Sequence, residues 1–155
     1  MLVYYFVEID RPFDEAEPIL LRLLEGASDA ADVAYRDGEE LRAQIGLAQP
    51  RIYKTVQLHV GEALRGERQT SVPLTWEATG PTRIFPSMTA DLTLARLGPR
   101  ISHLAFSGAY EPPLGALGKA VDRTTLHRLA EATVKRFTDR IGSAVYAWPH
   151  GIPAH

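Results

Sequence analysis

Between Glu39 and Glu111 apolar and polar residues alternate, and each segment keeps one phase. Val56, Leu58 and Val60 fall on one side of their strand, as do Val72, Leu74 and Trp76 on the next. Met88, Leu92 and Leu94 follow, then Leu104, Phe106 and Tyr110. The intervening positions are Thr55, Gln57, His59, Ser71, Thr75, Glu77, Thr89, Asp91, Thr93, His103 and Ser107. Successive side chains of a strand point to opposite faces, so this pattern predicts an antiparallel sheet with one apolar and one wet face. Gly46, Pro50, Gly66, Gly80-Pro81 and Gly98-Pro99 punctuate the segments as turns of a meander. An apolar face of that extent requires a covering element.

Ahead of the meander, Val3, Tyr4, Tyr5, Phe6, Val7 and Ile9 suit a pleated surface and predict a first strand, apolar and therefore buried on both faces. Pro12 favours a helix start, Ile19, Leu20, Leu23 and Leu24 follow at helical spacing, and Gly26 closes the segment. Pro18 is expected to split this stretch into two short pieces. A further short helix is predicted from Ser28 to Arg36, with Ser28 as its cap. Asp14, Glu15 and Glu17 then fall in the first turns of a helix, where negative charge suits the dipole.

The covering element is predicted from Leu114 to about Ala147, a stretch without proline. Leu126, Ala130, Thr133, Phe137, Ile141 and Ala144 share one helical face, and Arg128, Glu131, Lys135 and Asp139 lie opposite with two favourable i,i+4 contacts. Leu117 and Val121 sit about half a turn from that stripe, so the helix is expected to change neighbours near Thr124. These elements predict an α+β fold in which a curved antiparallel sheet wraps a long C-terminal helix, with two short helices after the first strand. Residues 1–147 form the single domain, and 148–155, with Pro149, Gly151 and Pro153, an extended tail.

Composition narrows the function classes. At 155 residues and 45% hydrophobic content, the chain is large enough for one domain to bury its own core. The net charge of -2, without any Lys or Arg run, argues against a nucleic-acid partner. Cysteine is absent, which removes disulfides, thiolate nucleophiles and sulfur-ligated metals. Neither a signal sequence nor an apolar run long enough to span a membrane is found, so a cytoplasmic location is the expectation.

The candidate chemistry is sparse. His59, His103, His127, His150 and His155 have no metal-ligand spacing, and no metal or cofactor is expected. His59 and His103 belong to the wet strand parity. Ser107-Gly108 lacks a nucleophile elbow, and no Gly-rich phosphate loop precedes a helix. Gly108, Gly115 and Gly118 read as backbone punctuation between the last strand and the helix. If the protein were an enzyme, Tyr110, His127 and Arg123 would be the candidates for proton transfer, His127 because imidazole titrates near neutrality. Arg123 and Lys119 interrupt the apolar stripe and read either as snorkelling surface cations or as a polar cavity mouth.

The segments VEIDRPFDEAEPILLRLL, PLTWEATGPTRIFPSMTADLTL and LAFSGAYEPPLGALGKAVDRTTLHRLAEATVKRF, in this order of elements, resemble the START-like (SRPBCC) or helix-grip superfamily. Its bacterial members include polyketide cyclases and lipid-transport proteins related to Bet v 1, and the last two segments look like small actinobacterial members. The resemblance implies an elongated cavity between sheet and helix. Its lining would be Val56, Leu58, Leu74, Trp76, Leu92, Leu94, Phe106, Tyr110, Leu126, Ala130 and Phe137, for each of which ordinary core packing is the competing reading. It further implies carriage of a hydrophobic small molecule such as a lipid, quinone or polyketide-like compound. A polyketide aromatase/cyclase-like enzyme using the same cavity and an interaction module with a filled core are the alternatives.

Overall fold

The computed structural model describes residues 1–25, 55–79, 87–111, 123–151 and 153. In chain order these form β1 (Leu2–Ile9), α1 (Phe13–Leu24), β2 (Thr55–Val60), β3 (Leu64–Arg65), β4 (Gln69–Thr79), β5 (Ser87–Arg96), β6 (Ser102–Glu111) and α2 (Arg123–Ala147). The strands make one six-stranded antiparallel sheet in the order β1-β6-β5-β4-β2, with β3 paired to β4. The α+β class and the C-terminal helix on an antiparallel sheet follow the sequence pattern. The predicted second short helix at Ser28–Arg36, and residues 114–122 of the predicted long helix, on which the expected change of neighbours near Thr124 depends, lie outside the described residues.

Inner-face parity agrees with the alternation wherever side chains are described. Leu58, Val72, Leu74, Trp76, Met88, Leu92, Leu94, Leu104, Phe106 and Tyr110 are buried, while Val60, the last residue of its strand, is exposed. His59, Thr89, Asp91 and Ser107 are exposed on the other face.

Two expectations are corrected. Pro18 lies inside α1 and does not split it. It forfeits the hydrogen bond that its nitrogen would have given the Asp14 carbonyl, yet Phe13, Ala16, Ile19, Leu20 and Leu24 are buried along one continuous face. That burial outweighs one missing backbone bond. β1, in turn, is not buried on both sides. Val3 and Ile9 are buried and Tyr5 and Val7 partly so, whereas Leu2, Tyr4 and Phe6 are 80%, 61% and 48% exposed. The strand lies at one end of the strand order with α2 on its inner face only, so even-numbered side chains point outward.

The helix stripe is also shifted. Ala130, Phe137 and Ile141 are buried as expected, but Thr133 and Ala144 are only half-buried, and Val134, Thr138, Gly142 and Val145 complete the buried arc. Gly142 explains how closely α2 approaches β1. A Cβ there would lie 2.9 Å from Val7 Cγ2, so only hydrogen fits. The Thr138 hydroxyl donates to the Val134 carbonyl at 2.8 Å, which satisfies it inside the core.

α1 is fastened by charge. Glu17 is 9% exposed, accepts two hydrogen bonds of 3.0 Å from Arg65 and one of 2.6 Å from the Thr70 hydroxyl. Asp14 accepts from Arg96 at 2.7 Å, and that guanidinium lies 5.2 Å over the Phe13 ring. Asp14 and Glu17 thus pair with arginines of the sheet, a tertiary role beyond their expected place at the positive end of the helix.

Candidate functional site

Cross-strand register sorts the inner face into rows. One row runs Leu58, Trp76, Met88 and Tyr110 across four strands. The next runs Val60, Leu74, Ala90, Gly108 and Val3. Beyond it lie Val72, Leu92, Phe106 and Tyr5, then Thr70, Leu94, Leu104 and Val7. The last two rows contain most of the fully buried sheet side chains, and there Gly142 brings α2 close. The first two rows differ in chemistry: Trp76 and Tyr110 each carry a polar atom on an aromatic body, Met88 is soft and adaptable, and Ala90 and Gly108 are small.

Phe137 of α2 joins the two regions. Its ring meets Trp76 edge-on at 5.4 Å between centroids and Phe106 at 6.1 Å, with interplanar angles of 64° and 78°. Such tilted contacts set the positive ring edge against the negative face. Gly108 is not turn punctuation. It lies within β6 with an ordinary backbone, where a Cβ would come 2.9 Å from Phe106 Cε1, 3.0 Å from Ala90 Cβ and 3.4 Å from Met88 Sδ. The Phe106 ring covers it, and that contact requires glycine.

Of the sequence-derived lining residues, Leu58, Leu74, Trp76, Leu92, Leu94, Phe106, Tyr110, Ala130 and Phe137 all belong to one buried cluster. Val56 lies in β2 and Leu126 in α2, but their side chains are outside the described set. Among the three conditional catalytic candidates, Tyr110 is buried on the first row. The His127 ring is partly exposed, its Nε2 3.2 Å from Glu131 one turn along. The Arg123 side chain is outside the described residues. Among the described residues no three His, Asp or Glu side chains could together hold a metal ion, and no helix is long and apolar enough to cross a membrane.

Sequence reasoning missed one buried cation. Arg11, in the turn after β1, is 2% exposed. Its Nη1 donates to the Val145 carbonyl at 3.0 Å and Nη2 to that of Trp148 at 2.7 Å. It thereby satisfies carbonyls at the C-terminus of α2, where intrahelical partners run out and positive charge is favoured. The only signal in the sequence was a charged residue beside proline between two apolar segments.

The fold defines a class: an antiparallel sheet closing on a C-terminal helix, consistent with the helix-grip architecture. A conserved protein from Geobacillus kaustophilus shares it, with a TM-score of 0.53 at 13% identity over 94% of this chain and 95% of that one. The Zhui aromatase/cyclase from Streptomyces sp. R1128 aligns with a TM-score of 0.46 at 12% identity, over 94% of this chain and 91% of that one. At such identities the first likeness shows a shared fold alone, and the second is too distant to carry an argument. No protein-family model and no curated protein sequence matches the chain.

Proposed function

We propose that the protein binds a hydrophobic small molecule between the first two inner rows of the sheet and α2. The observation that carries this reading is the placement of Trp76, Met88 and Tyr110 in one row beside the small residue Ala90. A core built only to exclude water is best served by Leu, Val and Ile, whereas amphipathic aromatics and thioethers suit a ligand with an apolar body and few polar groups. Ala130 supports the same reading on the helix side. It is buried two turns before Phe137, about 10 Å along the axis at 1.5 Å per residue, and it too is small. Binding would be driven by removal of ligand surface from water, about 25 cal/mol per Å².

The test is titration of N-phenyl-1-naphthylamine into a Trp148→Phe variant, in which Trp76 is the remaining tryptophan. Saturable probe fluorescence with matching quenching of Trp76 is expected, and Ala90→Phe should abolish both. Native mass spectrometry of freshly purified protein should show a copurifying lipophile. Absence of saturable probe binding together with a ligand-free mass would refute the proposal.

A further inference from the structure

A recess lies away from the sheet's first two rows, between the start of α1 and the residues after α2. It has a volume of about 400 Å³, with Arg11 and Glu15 on one side and Pro18, Ile19, Trp148 and Pro149 forming much of its wall. That volume falls within the range of small-molecule sites.

The guanidinium of Arg11 is what makes the recess chemically specific. It carries five N–H groups. The carbonyls of Val145 and Trp148 take two, and Nη2 also lies 3.0 Å from His150 Nδ1. Nε–H and one Nη1–H have no hydrogen-bond acceptor among the described residues. The carboxylate of Glu15 is nearest to Nε, but at 3.7 Å it is an ion pair and too long for a hydrogen bond. Glu15 is also 55% exposed, so it can swing into water at little cost. A buried cation with unused donors favours an anionic acceptor, and the indole and proline walls favour an apolar body. The adjacent Glu15 disfavours a dianion such as phosphate.

We propose that this recess is a binding site for a small organic monocarboxylate, its carboxylate meeting Arg11 and its apolar body lying against Trp148. The site stands or falls independently of the sheet-and-helix site.

Phenylacetate is the probe, followed by 1H–15N NMR. Saturable shifts are expected at the Trp148 indole, the Gly151 amide and the Arg11 Nε–H, unchanged in Ala90→Phe. The uncharged phenylacetamide should bind about ten-fold more weakly, since it cannot form the charge-assisted bond. Glu15→Gln should tighten phenylacetate binding several-fold by removing the competing carboxylate. Both comparisons leave the bonds from Arg11 to Val145 and Trp148 in place, so neither depends on a variant that loses the helix cap. Equal binding of acid and amide, no tightening in Glu15→Gln, or no shift at these three reporters up to tens of millimolar would each overturn the proposal.

Discussion

Glu17 shows how one side chain can be polar and buried at once. Its hydrogen bond from Arg65 holds the carboxyl below its ordinary range, burial pulls the other way, and the Thr70 hydroxyl adds to the lowering. The same pairing raises Arg65 above its usual value. Because the folded carboxyl titrates lower than the unfolded one, its stabilisation is present above the ordinary carboxyl range and is lost as pH falls through the folded value. Glu17→Gln keeps an oxygen for the Thr70 hydroxyl but sets an uncharged amide N–H against Arg65 Nη2, and should therefore cost about 1 kcal/mol at neutral pH, chiefly through the lost charge-assisted bond. Urea denaturation at pH 7 and at pH 3 checks this, with the gap from wild type expected to shrink at the lower pH. Lys135 behaves in the opposite sense. Its bonds to Asp139 at 2.7 Å and to the Tyr5 hydroxyl at 3.0 Å push it up to about 12, so this surface contact is lost only in strong alkali. Tyr5→Phe removes the link from β1 to α2 but leaves Lys135 and Asp139 paired. It should cost only about 0.5–1.5 kcal/mol, read from the urea midpoint at pH 7. The i,i+4 spacing announced the pairing of Lys135 with Asp139 but not the part of Tyr5 in it, and Glu17 looks in sequence like an ordinary charge in the first turns of a helix.

At the scale of elements, packing overrules local preference twice. Pro18 breaks the backbone pattern of α1 and is carried by that helix's buried face. Gly142 weakens α2 locally and is retained where the helix meets Val7. Gly142→Ala should gain helix propensity of roughly 0.5–1 kcal/mol, yet the 2.9 Å approach to Val7 requires β1 or α2 to shift, at about 1–3 kcal/mol for overpacking. A net loss of stability is expected. The double variant with Val7→Ala should recover more than additivity allows, as thermal denaturation of the four-member cycle would show. Strand parity in β4, β5 and β6 was legible because alternation records burial directly. The outer face of β1 was not, since Leu2, Tyr4 and Phe6 carry the residue types of a buried strand while standing in an exposed one. Helix phase was legible only to within a fraction of a turn, because Thr133 and Ala144 are as compatible with a flank as with a centre.

For the whole molecule, the contact of Phe137 with Trp76 and Phe106 joins the gripping helix to two strands of the sheet. Phe137→Ala should cost about 3–5 kcal/mol, with Trp76 fluorescence and far-ultraviolet circular dichroism moving together in one lowered transition. Two separate transitions would show that helix and sheet are not one cooperative unit. The sequence alone determined that a one-faced antiparallel sheet needs an apolar helix, and which residues of β4, β5 and β6 face it, because alternation and helical spacing are local consequences of backbone geometry. Only the tertiary structure decided that Arg11 would be buried against the end of α2, that Glu17 would meet Arg65 and Thr70, and that Gly108 and Gly142 would be sites of close approach. Those outcomes join residues far apart in the chain, and no local period carries information about which distant surface a side chain will meet.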